Sequence, residues 1–183
     1  MPIVYEKLLN YPIPEIRQAI RWQDTALYNF SIGLGQDPMD QQQLTGEKLA
    51  TLEGTTFARG DGGFGGPAGP VRKPHPEPER APDITLDLPT RPEQAIVYRL
   101  NGDHNPLHID PEVAAKAGFK QPILHGLCTF GVVCHALMKA LCGYDPARFG
   151  RMDLRFSSPV FPGETIRTEI WHEDGGAAFR ARV

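Results

Sequence analysis

LHGLCTFGVVCHALMKALC (residues 124–142), followed by RMDLRFSSPV (151–160), ETIRTEIWHE (164–173) and AAFRARV (177–183), is the part of the sequence that decides the fold. In the first stretch Leu127, Phe130, Cys134, Leu137 and Leu141 fall on one helical face. Val132, Val133 and Met138 widen the apolar surface almost all round, which predicts a helix buried on most sides. After Gly143 the period changes. Residues 151–160 and 164–173 alternate as half-buried strands do; in the second, Ile166, Thr168, Ile170 and His172 oppose Thr165, Arg167, Glu169 and Trp171. Pro162-Gly163 supplies the turn between them, and residues 177–183 read as a third strand. A buried helix followed by antiparallel strands predicts an α+β architecture, a sheet wrapped around a central helix.

Upstream of the helix, residues 94–100 (QAIVYRL) are rich in β-branched and aromatic side chains and read as a strand. NGDHNP (101–106) is made of turn-forming residues. Asp110-Pro111 opens a short helix, with Asp as N-cap and Pro at the first helical position, and Gly118 closes it. Residues 67–82 (PAGPVRKPHPEPERAP) hold six prolines, a composition that allows neither helix nor inner strand, so an extended linker is expected there. It separates a front segment, 1–66, from a back domain, 83–183. In the front segment 13–19 and 24–30 read as short helices, 33–40 as a loop and 49–58 as one strand. These are too few apolar elements for an independent core, so this half is expected to lean on the other.

Composition narrows the function. A formal charge of −3, from 19 basic and 22 acidic residues, argues against a nucleic-acid binder led by phosphate contacts. Mean hydropathy is −0.33, and no run approaches the roughly 18 apolar residues that span a bilayer. MPIVYEKLL at the start carries an acid and a base and no small-residue cleavage site, so no signal peptide is expected. Cys128, Cys134 and Cys142 are odd in number and not spaced as zinc ligands, so reduced thiols packed in a helix, and a cytoplasmic setting, are expected.

NGDHNPLHID (101–110) is the densest polar chemistry between two ordered elements. Asp103 and His108 are five residues apart, and an irregular loop leading into a helix can aim both at one point. A carboxylate and an imidazole together suit water activation, one taking a proton while the other orients or returns it. Asn105 adds an amide that can position a carbonyl or a water, and Pro106 stiffens the bend. Gly126 stands at the start of the buried helix, where unpaired N–H groups and a partial positive charge make an oxyanion hole. No nucleophile elbow accompanies them, which favours proton transfer or hydration over acyl-enzyme chemistry. The same loop read blandly is a cap and a turn. Asp103, His104, His108 and Asp110 are all metal-ligand types, but the two histidines lie in a proline-broken loop and not on one helical face, so no metal is expected. His125 is expected beside the pocket and His135 in a structural role. RGDGGFGG (59–66) lacks the Lys-Ser/Thr ending of a phosphate loop and reads as a flexible turn.

YRLNGDHNPLHID (98–110), followed by PILHGLCTFG (122–131), resembles the MaoC-like, R-specific enoyl-CoA hydratase (hydratase 2) family of hot-dog fold proteins. The signature, an aromatic residue and then G-D-x-N-P-aliphatic-H, is matched from Tyr98 to His108. RFSSPVFPGETIRTEIW (155–171) resembles the strands after the family's central helix, and 24–40 and 55–66 resemble pieces of the N-terminal repeat of the two-hot-dog members. The resemblance implies a complete C-terminal hot-dog and a partial N-terminal one. It implies Asp103 and His108 as the catalytic pair, Gly126 as the amide donor to a thioester carbonyl, and Asn105 and His125 as substrate-binding residues. The implied substrate is a trans-2-enoyl-CoA, hydrated to a (3R)-3-hydroxyacyl-CoA or formed in reverse; CoA belongs to the substrate and no other cofactor is called for. A homodimer is implied by the way such units pair. Two-repeat members would also have a helix and several strands between Leu44 and Thr45 and one further strand after Val183. The alternatives are a non-catalytic acyl-thioester-binding hot-dog subunit and a sterol side-chain enoyl-CoA hydratase.

Overall fold

The computed structural model describes residues 75–183 and Pro12. The expectations for 13–19, 24–30, 33–40, 49–58, 59–66 and 67–74 lie outside the described residues. In order come β1 (Ile84–Pro89), α1 (Gln94–Arg99), a 3-10 turn (Pro106–His108), α2 (Pro111–Lys116), α3 (Gly126–Leu137), a π turn (Met138–Cys142) continuing α3, a second 3-10 turn (Pro146–Arg148), β2 (Thr165–Glu173) and β3 (Gly176–Arg182).

The strands form an antiparallel sheet in the order β1-β2-β3. Ile84, Leu86 and Leu88 of β1 stand opposite Ile170, Thr168 and Ile166 of β2, and Ile170 stands opposite Phe179 of β3. Because side chains alternate along a strand, this register lines one face with apolar groups. Helix α3 packs on that face, across β2 and β1. The core between them holds Ala95, Tyr98, Leu124, Cys128, Val132, Val133, Leu137, Ile166 and Ile170. The expected long helix and antiparallel sheet are therefore present.

The outer face of β2 is covered too. Trp171 is buried and its indole N–H donates to the Arg80 carbonyl at 2.8 Å, with the Arg180 guanidinium 5.6 Å over its ring. Beside it Glu169, also buried, accepts hydrogen bonds from Arg180 and Arg182. Over residues 75–82 the proline-rich stretch forms neither helix nor strand, as its composition requires.

Three local expectations are corrected. Residues 94–100 are not a strand: Gln94–Arg99 is helix, and its buried residues Gln94, Ala95 and Tyr98 follow helical spacing. Pro92-Glu93 opens it, and the Gln94 side chain accepts from the Arg91 N–H at 2.8 Å, so local start signals and packing outweigh β propensity. Residues 151–160 are not a strand either. Met152 and Leu154 are half-buried, but the segment forms no ladder: the Val160 carbonyl accepts the Leu124 N–H at 2.7 Å without a strand pairing following from it, and Pro159 has no N–H to offer. Finally, the buried face of α3 is Cys128, Val132, Val133, Ala136 and Leu137, whereas Leu127 is 61% exposed. A helix apolar nearly all round carries no periodic signal for which side meets the sheet. Small residues at Cys128, Gly131 and Ala136 let this side approach closely.

Other local expectations hold. Asp110 caps α2, accepting from the N–H groups of Glu112 (2.8 Å) and Val113 (3.3 Å), with Pro111 following. Gly118 (φ +87°) takes the left-handed conformation that ends it. Pro162-Gly163 make the turn before β2, closed by the Glu164 N–H on the Phe161 carbonyl at 3.1 Å.

Candidate active site

The loop after α1 is shaped by its own polar side chains. Asp103 Oδ1 accepts the Asn105 N–H at 3.2 Å, and Asn105 Oδ1 accepts the Leu107 N–H at 3.1 Å. Asn105 thereby caps the 3-10 turn that Pro106 begins and His108 ends. The turn swings His108 inward, where it is 8% exposed, while Asp103 stays half-buried and His104 faces solvent.

His108 is held from the next segment. Its Nδ1 lies 2.8 Å from the Ile123 carbonyl oxygen. A carbonyl only accepts, so Nδ1 carries the proton, and in the neutral ring Nε2 keeps its lone pair as a base. His125 is fully buried, and its Nε2 lies 3.3 Å from the Asp103 carbonyl oxygen. By the same reasoning Nε2 donates there, leaving Nδ1, which is buried without a hydrogen-bond partner. Burial, and then the neighbouring His108, hold the His125 imidazole below its ordinary range against the opposing pull of Asp103, so the ring is neutral. The His108 and His125 rings stack at 3.8 Å with 27° between their planes, and Tyr98 packs on His125 at 4.9 Å.

The structure thus brings Asp103, His108 and His125 together, with one carboxylate oxygen and one nitrogen of each ring all within 4.8 Å of one another. A water that donates to one group while contacting the other, through two bonds of about 2.8 Å at its own angle, bridges about 4.4 Å. A spread of at most 4.8 Å leaves room for one water shared between Asp103 and His108. The donor types are also those of a metal site, but the geometry does not fit an ion held by both rings. Ring lone pairs lie in the ring planes, and two rings stacked face on face, with centroids 3.8 Å apart and 27° between their planes, do not converge on an ion about 2.0–2.1 Å from each nitrogen. Asp110 spends its carboxylate on the α2 cap.

Gly126, the first residue of α3, follows His125 directly. Its N–H is among those that a helix leaves unpaired and carries the positive end of the helix dipole. The Phe156 ring lies over it: a Cβ at this position would sit 3.5–3.7 Å from three ring carbons. Sequence reading missed Phe156 and the two carbonyls, of Ile123 and Asp103, that fix the tautomers. Backbone acceptors leave no trace in residue type. His135, expected in a structural role, sits away from this cluster, hydrogen-bonded to the Tyr144 hydroxyl at 2.8 Å. Among the described residues no helix is long and apolar enough to cross a membrane.

Comparison with known proteins gives the same answer as the loop. 3-Hydroxyacyl-thioester dehydratase Y of Mycobacterium tuberculosis is 51% identical over 154 residues, which cover 82% of this chain and 51% of that protein. Enoyl-CoA hydratase ChsH3 of the same organism is 48% identical over 125 residues, 68% of this chain and 43% of that protein. The chain therefore spans about half the length of these curated relatives. Among solved structures, a MaoC-like dehydratase from Phytophthora capsici superposes with a TM-score of 0.59 at 54% identity, covering 62% of this chain and 39% of that one. The model of the MaoC like domain matches residues 73–183, all of the helix and sheet just described, and the protein is accordingly a member of the MaoC-like dehydratase, or hydratase 2, family, with its hot-dog fold.

Proposed function

We propose that the protein adds water to trans-2-enoyl-CoA to give (3R)-3-hydroxyacyl-CoA, or runs the reverse dehydration. The observation that carries this is the Asp103 carboxylate and the His108 ring within 4.8 Å of each other, beside the first amide of α3. Asp103 orients one water and His108 Nε2 takes its proton as the oxygen bonds to C3 of the enoyl group. The double-bond electrons move onto the thioester oxygen, which the Gly126 N–H stabilises. The imidazolium then returns the proton to C2 as the carbonyl re-forms, so one water supplies both added groups on the same face. General acid–base transfer of this kind is worth about 10²–10⁴-fold, and loss of one oxyanion donor costs on the order of 3 kcal/mol.

Asn105, expected together with His125 to bind substrate, orients the pair by capping the turn and is the proposed lining of the substrate pocket; His125 lies behind that lining, with no exposed surface. We assign 83–183 to a complete C-terminal hot-dog, 67–82 to a linker and 1–66 to a partial N-terminal repeat. The unit works as a homodimer in the cytoplasm, a setting that suits three free thiols, although a plant relative, enoyl-CoA hydratase 2 of Arabidopsis thaliana, is named peroxisomal. The names of the two mycobacterial relatives support both directions of the reaction.

The test is loss of the enoyl thioester absorbance when the purified chain meets crotonyl-CoA. Asp103→Asn and His108→Ala should each lower the rate by about 10³-fold in folded protein. A rate kept within a few-fold in either variant overturns the mechanism. The second reading is a non-catalytic acyl-thioester-binding hot-dog subunit. Binding of crotonyl-CoA without turnover by the wild-type chain would establish it. Comparing a short linear enoyl-CoA with a branched steroid one separates a sterol side-chain hydratase.

A further inference from the structure

We infer that His125 is a positioning residue, one that ties the three parts of the site together without touching substrate; this rests on the reading of Asp103, His108 and Gly126 given above. The side chain is wholly buried, so a ligand arriving from solvent does not reach it. Its three connections each lead to a different reacting group. Through Nε2 it donates to the carbonyl of Asp103, 22 residues away, and so fixes the backbone that carries the carboxylate. Through its face it stacks on His108 at 3.8 Å. Through the chain it precedes Gly126, and its own carbonyl accepts both the N–H (3.1 Å) and the hydroxyl (3.3 Å) of Thr129, which sets the first turn of α3.

His108 needs two constraints to aim Nε2 at a water. The bond from Nδ1 to the Ile123 carbonyl fixes the ring in its plane but leaves it free to rock about that bond. The stack with His125 removes the rocking. Only a neutral His125 does this, since the cationic ring would face His108 and Arg99, with Asp103 alone opposing and the uncharged Tyr98 indifferent. Misplacement of a reacting group by about 1 Å costs up to about 10²-fold in rate, and it does so in the chemical step and not in binding.

Two variants of the full chain separate the connections. His125→Gln keeps a donor where Nε2 was and loses the stack; His125→Phe keeps a stacking ring and loses the donor. Each should lower kcat on crotonyl-CoA by about 10- to 100-fold with KM within twofold of wild type. The second readout is the imidazole 15N spectrum without substrate. Wild type should show His108 as a single Nδ1–H tautomer and His125 as an Nε2–H ring that gains its second proton only below the ordinary imidazole range, and His125→Gln should give His108 averaged between tautomers. Unchanged kcat, or a loss carried by KM, overturns the proposal. So does a His125 in wild type that titrates as an ordinary imidazole or holds its proton on Nδ1, a result that needs no variant to fold. If wild type has no turnover while the spectra come out as stated, the reaction assignment fails and the positioning geometry stands.

Discussion

Replacing Gly126 with Ala separates the two things a glycine can be doing at the start of α3. Its φ is not in the left-handed region, so alanine fits the backbone. The added Cβ meets the Phe156 ring at 3.5–3.7 Å, an ordinary contact that moves nothing. Alanine is favoured over glycine in a helix by up to about 1 kcal/mol, less at a first position. Stability should therefore stay level or rise slightly. Activity should not follow. The methyl projects toward Phe156 over the helix end, where the proposed mechanism brings the thioester oxygen within hydrogen-bond reach of the amide. Keeping that oxygen from one donor is worth about 2.7 kcal/mol, or about 100-fold in rate. The assay pairs a urea melt with kcat/KM on crotonyl-CoA. A folded Gly126→Ala protein with kcat/KM within a few-fold of wild type would refute the placing of the substrate oxygen at this amide. A variant that unfolds would refute the claim that the space beside Phe156 is adequate.

Ile170, fully buried where α3 crosses β2, should lose about 3 kcal/mol on replacement by Ala, read as a lower urea midpoint with unchanged slope. The Cys128 thiol is pushed by burial up to about 12, so at pH 8 it should resist alkylation in the native protein and react once urea unfolds the chain, as peptide mapping would show. His125 and His135 both sit below their unfolded value of 6.5 through burial. The unfolded chain therefore binds more protons as pH falls through that value, and stability present above it should be lost below it, checked by urea melts at pH 7.5 and 5.5. His125→Gln should remove its own share of that loss. Asp83, held down to about 2 by Arg80 and the His172 N–H, contributes only in a separate, more acidic window.

What the sequence made legible follows from how each feature is encoded. The α2 cap at Asp110, the Pro162-Gly163 turn and β2 were readable because side-chain chemistry or strict alternation specifies them locally. That Asp103 and His108 share one short loop was legible from the bend that Pro106 stiffens; their aim was not, because the Ile123 carbonyl and the His125 ring set it. The helical state of Gln94–Arg99 was hidden because its residues favour strands in isolation and are overruled by a start signal and by packing of Tyr98. β1 was passed over: ITLDLP alternates, but it is six residues long and ends on proline. The facing side of α3 and the roles of the Ile123 and Asp103 carbonyls depend on tertiary contact alone, which no residue type announces.

The register of the sheet has a consequence for the order of assembly. β2 and β3 meet through a tight hairpin, Glu173 opposite Gly176, and such hairpins close in about 1–10 μs. β1 and β2, by contrast, join Ile84 to Ile170 across most of the described chain, a closure whose entropy must be met before any ladder bond forms. On a ribosome β1 emerges first and waits, with its apolar face of Ile84, Leu86 and Leu88 uncovered, until α3 and then β2 have been made. The sheet is thus completed at its earliest strand last, and substitutions in β1 should accelerate unfolding more than they slow folding.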